Sequence, residues 1–498
     1  MSERKQAFQP GDFLWLALGV ILYTFVGWRW NMPIAAWLSP LFLIRFFRGQ
    51  DRWYKALLAY PLLAVAGALN KWNAWDLDWF VQIGLSLLLP LPLLVALYMD
   101  RTFSRRLKGL LSTVVFPAVL VVFDLAIGLW PVLGTIISPA VTQFELTSLI
   151  QLTAVTGIWG LTFLMGWAAA TVNLVWENGF ELRKVARPAA VFALALLAIL
   201  LGGAARLALA RPAAPTVRVG GVTVPHVRDY WSEIIDLATP RDVAHQFETE
   251  IAALNDQLFS GSEEVVAGGA QIVFWSEGNG VVYEEDEAAF LQRAQEFARK
   301  HQVYFAPALL VLHYGQTSSD NKLVMITPQG EVAFTYVKTI SWYPTDSDGI
   351  IRYVDTPYGR ISAAICFDMD FPTLLRQAAR QDVDIVLVPA FDSEGIKPYH
   401  TQVGLFRAVD GGFSIVRQVN TGTSMAVDYQ GNVLAYQDYF RTADRTMLAD
   451  VPTQGVKTVY GVLGDWFAYA DVLFVVGLIG WAAAGMLRNR GLKTRSSE

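Results

Sequence analysis

The chain has 498 residues, 54% of them hydrophobic and only 17% charged, with 17 tryptophans and a mean hydropathy of +0.36. That is too apolar for an ordinary soluble protein, and a net charge of −5 argues against a nucleic-acid binder. Cys366 is the only cysteine, which excludes a fold built on disulfides within the chain and a multi-thiolate metal site.

Apolar runs cover residues 13–28, 32–47, 56–69, 78–98, 110–131, 148–175, 188–210 and 467–487. Crossing a bilayer takes about 20 apolar residues, or about 17 at the short end. The second and third runs fall short, as thin or tilted spans or a re-entrant pair. The first run is followed by further spans rather than by a small-residue cleavage site, so it is expected to be an anchor. Basic residues fall in alternate loops: Arg4 and Lys5; Arg45, Arg48, Arg52 and Lys55; Arg101, Arg105, Arg106 and Lys108; Arg183, Lys184 and Arg187; Arg488, Arg490, Lys493 and Arg495. The other loops carry Arg29, then Lys71 beside Asp76 and Asp78, then no basic residue around Thr142. Eight spans put every cluster on one side, both termini in the cytoplasm and the segment between spans seven and eight outside it. Trp72, Trp75, Trp79, Trp130 and Trp466 sit at span ends, where indole rings favour the interface. Asp124, inside the fifth run, calls for a polar partner in the bundle.

The chain thus divides into residues 1–215 (seven spans), 216–455 (a mixed soluble segment) and 456–498 (the last span and a tail). In the soluble segment, strands are expected at Val217–Val224, Ala270–Trp275, Val303–Leu312, Lys322–Thr327, Val332–Val337, Asp384–Pro389 and Ser414–Gln418. Helices are expected at Arg241–Leu258, Glu284–His301, Phe371–Gln381 and Thr401–Asp410. Pro328-Gln329-Gly330 and Tyr429-Gln430-Gly431 read as hairpin turns. The pattern is an α/β layered domain of about 240 residues.

Three reactive side chains leave strand ends in this domain. Glu277 follows Phe274-Trp275-Ser276, Lys338 ends Phe334-Thr335-Tyr336-Val337, and Cys366 ends the buried strand Gly359–Ile365. A thiol is a poor nucleophile until deprotonated, and a carboxylate within reach can take its proton. A fixed cation beside it favours the thiolate and neutralises an oxyanion. His226, His245, His301, His313 and His400 include no pair at metal-binding helical spacing. Gly268-Gly269 is a turn rather than a phosphate cradle, and no nucleophile-elbow motif of serine hydrolases occurs. Neither a metal nor a cofactor is expected.

The ordered Glu277, Lys338 and Cys366 resemble the nitrilase superfamily of carbon–nitrogen hydrolases. Arg417-Gln418-Val419-Asn420-Thr421-Gly422-Thr423-Ser424, with Asp428 and Gly431-Asn432-Val433-Leu434, is similar to that superfamily's late core hairpin. The eight runs, with Leu149-Ile150-Gln151-Leu152 and Gly157-Ile158-Trp159-Gly160-Leu161-Thr162-Phe163-Leu164 in the sixth, look like its membrane branch, which N-acylates bacterial lipoproteins. The resemblance implies a polytopic α-helical membrane bundle carrying an αββα sandwich in the plasma membrane. It also implies a Glu277–Lys338–Cys366 triad, a phospholipid acyl donor, a lipoprotein amine acceptor, and a substrate-facing Trp231.

Departures fall on the acceptor side. Thr339–Asp348 replaces a Phe-Gly-Glu-Tyr stretch and offers only Asp346 or Asp348 for its glutamate; Phe367-Asp368 replaces a Tyr-Glu pair. An Asn-Asp-x-Trp-Phe stretch is eroded around Ala390-Phe391-Asp392-Ser393, and a Gln-x-Asn-x-Pro pattern survives only as Thr223-Val224-Pro225. A membrane-bound amidase, an acyltransferase with another amine acceptor, and a catalytically dead scaffold stay open at this level.

Overall fold

The computed structural model describes residues 10–50, 53–72, 74, 78–210, 212, 214–226, 229–235, 238–341 and 344–495. Arg4, Lys5, Arg52, Trp75 and Asp76, named above, lie outside them, as do the side chains of Lys55, Trp231, Arg488, Arg490, Lys493 and Arg495.

Each of the eight apolar runs contains helix, but they differ in reach. Trp79–Phe103 (25 residues), Leu111–Gly128 (18), Leu182–Leu209 (28) and Trp466–Met486 (21) are long and apolar enough to cross a membrane. Pro10–Tyr23, Ala35–Gly49 and Ala59–Asn70 have only 14, 15 and 12 residues. The sixth run is not the single span its hydropathy suggests. It breaks into Thr147–Thr156 and Trp159–Glu177, bent by 116°. Gly157, with φ +65° and ψ −173°, makes the break in a conformation that side-chain-bearing residues avoid. A Cβ there would also fall 2.5 Å from the Tyr460 ring. By length and composition the described residues therefore hold four spanning helices, or five with the bent pair, against the eight expected.

Two buried charged groups inside the bundle find polar partners, as a low-dielectric setting favours. Arg48, read above only as a loop cation, is 5% exposed and forks onto Asp100 at 2.7 and 2.8 Å. Asp124 accepts from Ser138 Oγ (2.8 Å) and Thr162 Oγ1 (2.6 Å), the structural pairing its position called for.

The mixed segment folds into two sheets. The first contains β1 (Thr216–Val222), β2 (Ile272–Trp275), β3 (Gly280–Tyr283), β4 (Tyr304–Ala306), β5 (Ala308–Leu312), β6 (Ser319–Ile326) and β7 (Val332–Val337). The second contains β8 (Tyr353–Thr356), β9 (Gly359–Ala363), β10 (Ile385–Phe391), β11 (Ser414–Asn420), β12 (Thr423–Val427) and β13 (Val433–Asp438). β14 (Thr446–Pro452) returns to the first sheet and pairs antiparallel with β1 along its whole length, from Thr216 opposite Pro452 to Val222 opposite Thr446. The expected strand Val303–Leu312 is interrupted at Pro307, which has no N–H to give to a ladder.

The sheets pack face to face, with Glu248–Ala267 and Glu287–His301 outside the first and Pro372–Arg380 and Tyr399–Gly411 outside the second. This is an αββα sandwich. β9, β10 and β11 run parallel through the latter two helices, so their C-terminal ends open together on one edge, where α/β sheets place ligands. The outer helix Tyr399–Gly411 rests on the bundle against Thr153–Thr156 and Gly134–Ile137. Hydrogen bonds join the two bodies: Thr135 Oγ1 donates to the Asp370 carbonyl (2.7 Å) and Gln151 Nε2 to the Gln430 carbonyl (2.8 Å).

Candidate active site

Four strand ends converge at this edge. β2 is buried throughout, and Glu277 leaves it two residues later with only 5% exposure. Its Oε1 accepts from Lys338 Nζ (2.5 Å) and Asn321 Nδ2 (2.8 Å), and its Oε2 from the Phe391 N–H (2.9 Å). Lys338 follows β7, and its own N–H donates to the Asn321 carbonyl at 2.9 Å. Cys366 opens the tight helical turn Cys366–Asp370 just past β9, with φ +49°. That dihedral is strained for a residue with a side chain, of order 1–3 kcal/mol, and such strain gathers where chemistry is done. The thiol donates to the Phe391 carbonyl, Sγ to O 3.5 Å. The backbone of one residue, Phe391 at the end of β10, thus holds both the carboxylate and the thiol.

Electrostatics divide the labour. Burial pushes the Cys366 thiol well above its ordinary pKa; the Glu277 charge adds to this and Lys338 opposes it. Burial alone would lower the pKa of Lys338, but the charge of Glu277 outweighs that and holds the ammonium firmly protonated. At neutral pH Cys366 therefore rests as the thiol and Lys338 as the ammonium.

The substrate-side candidates are placed differently from one another. Asp368 is fully buried. Its oxygens accept from Tyr336 Oη (2.7 Å) and from the N–H groups of Ile340 (2.7 Å), Ile365 (3.2 Å) and Thr339 (3.3 Å). It therefore ties the segment after Lys338 to the turn of Cys366. Burial raises its pKa to about 6 against these hydrogen bonds. Asp346 is exposed, and Asp348, also exposed, pairs with Arg352 at 2.5 Å. Trp231 begins the helical turn Trp231–Ile235.

Asn321, the Phe391 peptide and a charged cluster behind the thiol were not anticipated. His400 lies between Asp392 (2.8 Å) and Asp370 (2.7 Å), and Arg417 forks onto Asp392 at 2.9 Å twice. Cys366, Asp392 and His400 bring atoms of metal-ligand type within 4.8 Å of one another. Each of the Asp392 and His400 atoms already has a charged partner, so this is a closed hydrogen-bonded cluster rather than an open donor set. A cavity of about 160 Å³ lies within the bundle, lined by Trp28, Leu93, Phe123, Ile137 and Met165 among others and met from the sandwich by Tyr399.

Residues 243–460 match the family model of the carbon–nitrogen hydrolases. That segment, the αββα sandwich, is thus a carbon–nitrogen hydrolase domain. Beyond that domain, the chain is 26% identical to an apolipoprotein N-acyltransferase of Geobacter metallireducens, with 88% of each chain covered. It is 24% identical to one of Gloeobacter violaceus, over 96% of this chain and 92% of that one. One from Haemophilus influenzae is 38% identical across 23% of each chain. The nitrilase-like domain of this chain is thus carried on a membrane protein, and the likeness to the first two relatives extends through the bundle.

Proposed function

We propose that this protein is an N-acyltransferase that moves an acyl chain from a phospholipid, through a thioester on Cys366, to the N-terminal amine of a lipoprotein. The observation that carries the reading is the extent of the likeness. A carbon–nitrogen hydrolase domain alone would suit an amidase equally, but the similarity to apolipoprotein N-acyltransferases spans 88–96% of the chain, bundle included. In this reading residues 1–215 and 456–498 anchor the catalytic segment 216–455 on the extracytoplasmic face, with both termini in the cytoplasm.

Glu277 takes the Cys366 proton, and sulfur attacks the ester carbonyl. Lys338 and a backbone N–H near Cys366 stabilise the oxyanion. Collapse breaks the acyl C–O bond, and the lysophospholipid leaves as its alcohol with the proton from Glu277. The acceptor amine then attacks the thioester, Glu277 takes its proton, and the thiol is restored with an amide as product. In this reading Trp231 and Asp346 contact the substrates, while Asp368 holds the Lys338 and Cys366 segments together.

The test is purified full-length protein given phospholipid alone. Cys366 should gain one acyl mass, removable by hydroxylamine. A diacylated lipopeptide with a free N-terminal amine should then discharge it faster than water does. Loss of the thioester at one rate with or without amine, with release of free fatty acid, would make the protein a hydrolase.

A further inference from the structure

The acyl-transfer steps leave the charged cluster behind Cys366 without a task. His400, Asp370, Asp392 and Arg417 have side chains 4%, 0%, 0% and 0% exposed. Leaving a charge unpaired at such depth costs several kcal/mol, so the four must balance. They do so only if His400 is an imidazolium, giving two positive and two negative charges. Hydrogen bonding favours the same state. Both ring nitrogens face carboxylate oxygens, Nδ1 to Asp392 at 2.8 Å and Nε2 to Asp370 at 2.7 Å, and only the imidazolium donates from both; an Arg417 N–H also lies 3.0 Å from Nδ1, but the Asp392 oxygen is nearer. Burial works against that charge and Arg417 opposes it, yet the two carboxylates raise the His400 pKa to about 9. Asp392 moves the other way: burial would raise it, but Arg417 and His400 hold it far below the usual carboxylate range.

The partners sit where they matter. Asp370 closes the turn that Cys366 opens. Asp392 directly follows Phe391, whose N–H holds Glu277 and whose carbonyl receives the thiol. His400 also neighbours Tyr399, whose ring stacks on Trp28 of the bundle with centroids 5.3 Å apart. We propose that His400 is a positioning residue for the cysteine chemistry, an imidazolium between Asp370 and Asp392 that fixes the Cys366 turn against the Phe391 peptide. This rests on Cys366 being the nucleophile. The charged and titratable groups around the imidazole are Asp370, Asp392, Arg417 and the Cys366 thiol.

Because Cys366 is the only thiol in the chain, its alkylation by iodoacetamide, followed by intact mass, reports the site without needing turnover. Full-length wild type, His400→Gln and Asp370→Asn in phospholipid nanodiscs are the proteins to compare. Misplacing reacting groups by about 1 Å costs about 100-fold. His400→Gln should therefore slow Cys366 acylation at saturating phospholipid by roughly 10- to 100-fold, with apparent KM within about twofold. The wild-type log rate of alkylation should rise with pH and bend near pH 9, where the His400 proton is lost. His400→Gln should lose the bend, and Asp370→Asn, which leaves the Asp392–Arg417 fork in place, should move it to lower pH. Wild-type acylation with an unchanged alkylation profile in His400→Gln overturns the proposal, as does an effect on KM alone. If His400→Gln does not fold, an unmoved bend in Asp370→Asn overturns it equally. Cys366→Ala separates the two readings: acyl uptake persisting in that variant would refute the nucleophile itself.

Discussion

Cys366 sits where ionisation is opposed, and that determines what its neighbours must do. Burial first and Glu277 second hold the proton on sulfur, with Lys338 pulling the other way. In the proposed mechanism the thiolate is thus made during attack rather than stored, and Glu277 serves as the base. Cys366→Ala should abolish thioester formation. Glu277→Gln and Lys338→Met should each lose roughly two to four decades of acylation rate, the usual scale for proton-transfer and oxyanion groups. The two variants should part company when the thiol is alkylated. Removing the Glu277 charge lowers the thiol pKa, so Glu277→Gln should alkylate faster than wild type at pH 7 while turning over more slowly. Lys338→Met should be slower in both. A Glu277→Gln protein slowed in alkylation as well would mean that the carboxylate acts by holding the pocket together. Glu277, Lys338 and Cys366 were legible in the sequence because each ends a short apolar strand. His400 was not. Its partners Asp392 and Asp370 are 8 and 30 residues away, on other elements, whereas spacing along one helix shows only pairs on one face.

At the scale of elements, hydropathy reads composition and is blind to a single dihedral. Residues 148–175 look like one span, and Gly157 folds them into a bent pair whose first half supports the helix Tyr399–Gly411. Gly157→Ala should cost about 1–3 kcal/mol from the left-handed backbone and more from the Tyr460 contact. It should lower the thermal midpoint and the acylation rate together; an unchanged midpoint would show that the bend is not held by this glycine. The strands β3, β8 and β14 escaped the sequence reading. β3 is four residues long, and β14 finds its partner β1 more than two hundred residues earlier, a pairing no local pattern announces. The clamp of His400 across three elements gives a pH signature. Its folded pKa of about 9 lies above the ordinary 6.5, so its stabilisation is complete below about pH 6.5 and lost as pH rises through about 9. The wild-type midpoint should fall over that window more than that of His400→Gln, by calorimetry in nanodiscs. Parallel curves would show that the cluster titrates with no net linkage to folding.

For the whole molecule, the bundle and the sandwich are wired together at both ends of the second sheet. Thr135 holds the Asp370 carbonyl beside the site, and Gln151 and Arg206 donate to the Gln430 and Tyr429 carbonyls at the opposite end. A soluble amidase needs no such mount, but an enzyme whose two substrates are lipids of one leaflet must hold its nucleophile at headgroup depth. Trp72, Trp79, Trp130 and Trp466 are 65%, 74%, 41% and 39% exposed, as rings in an interface should be. If all eight apolar runs cross, the alternation of basic loops predicts the outer side of the membrane for the site, and the single thiol makes that measurable. In intact cells or right-side-out vesicles, a small impermeant maleimide should label Cys366 from the outside, and prior treatment with an impermeant quencher should abolish the signal. Cys366 is only 6% exposed, so the control is labelling of the same protein in detergent, which establishes that the pocket admits the reagent. Reaction in detergent and in permeabilised vesicles, but none in sealed ones, would place the catalytic edge in the cytoplasm and overturn the orientation drawn from the basic loops.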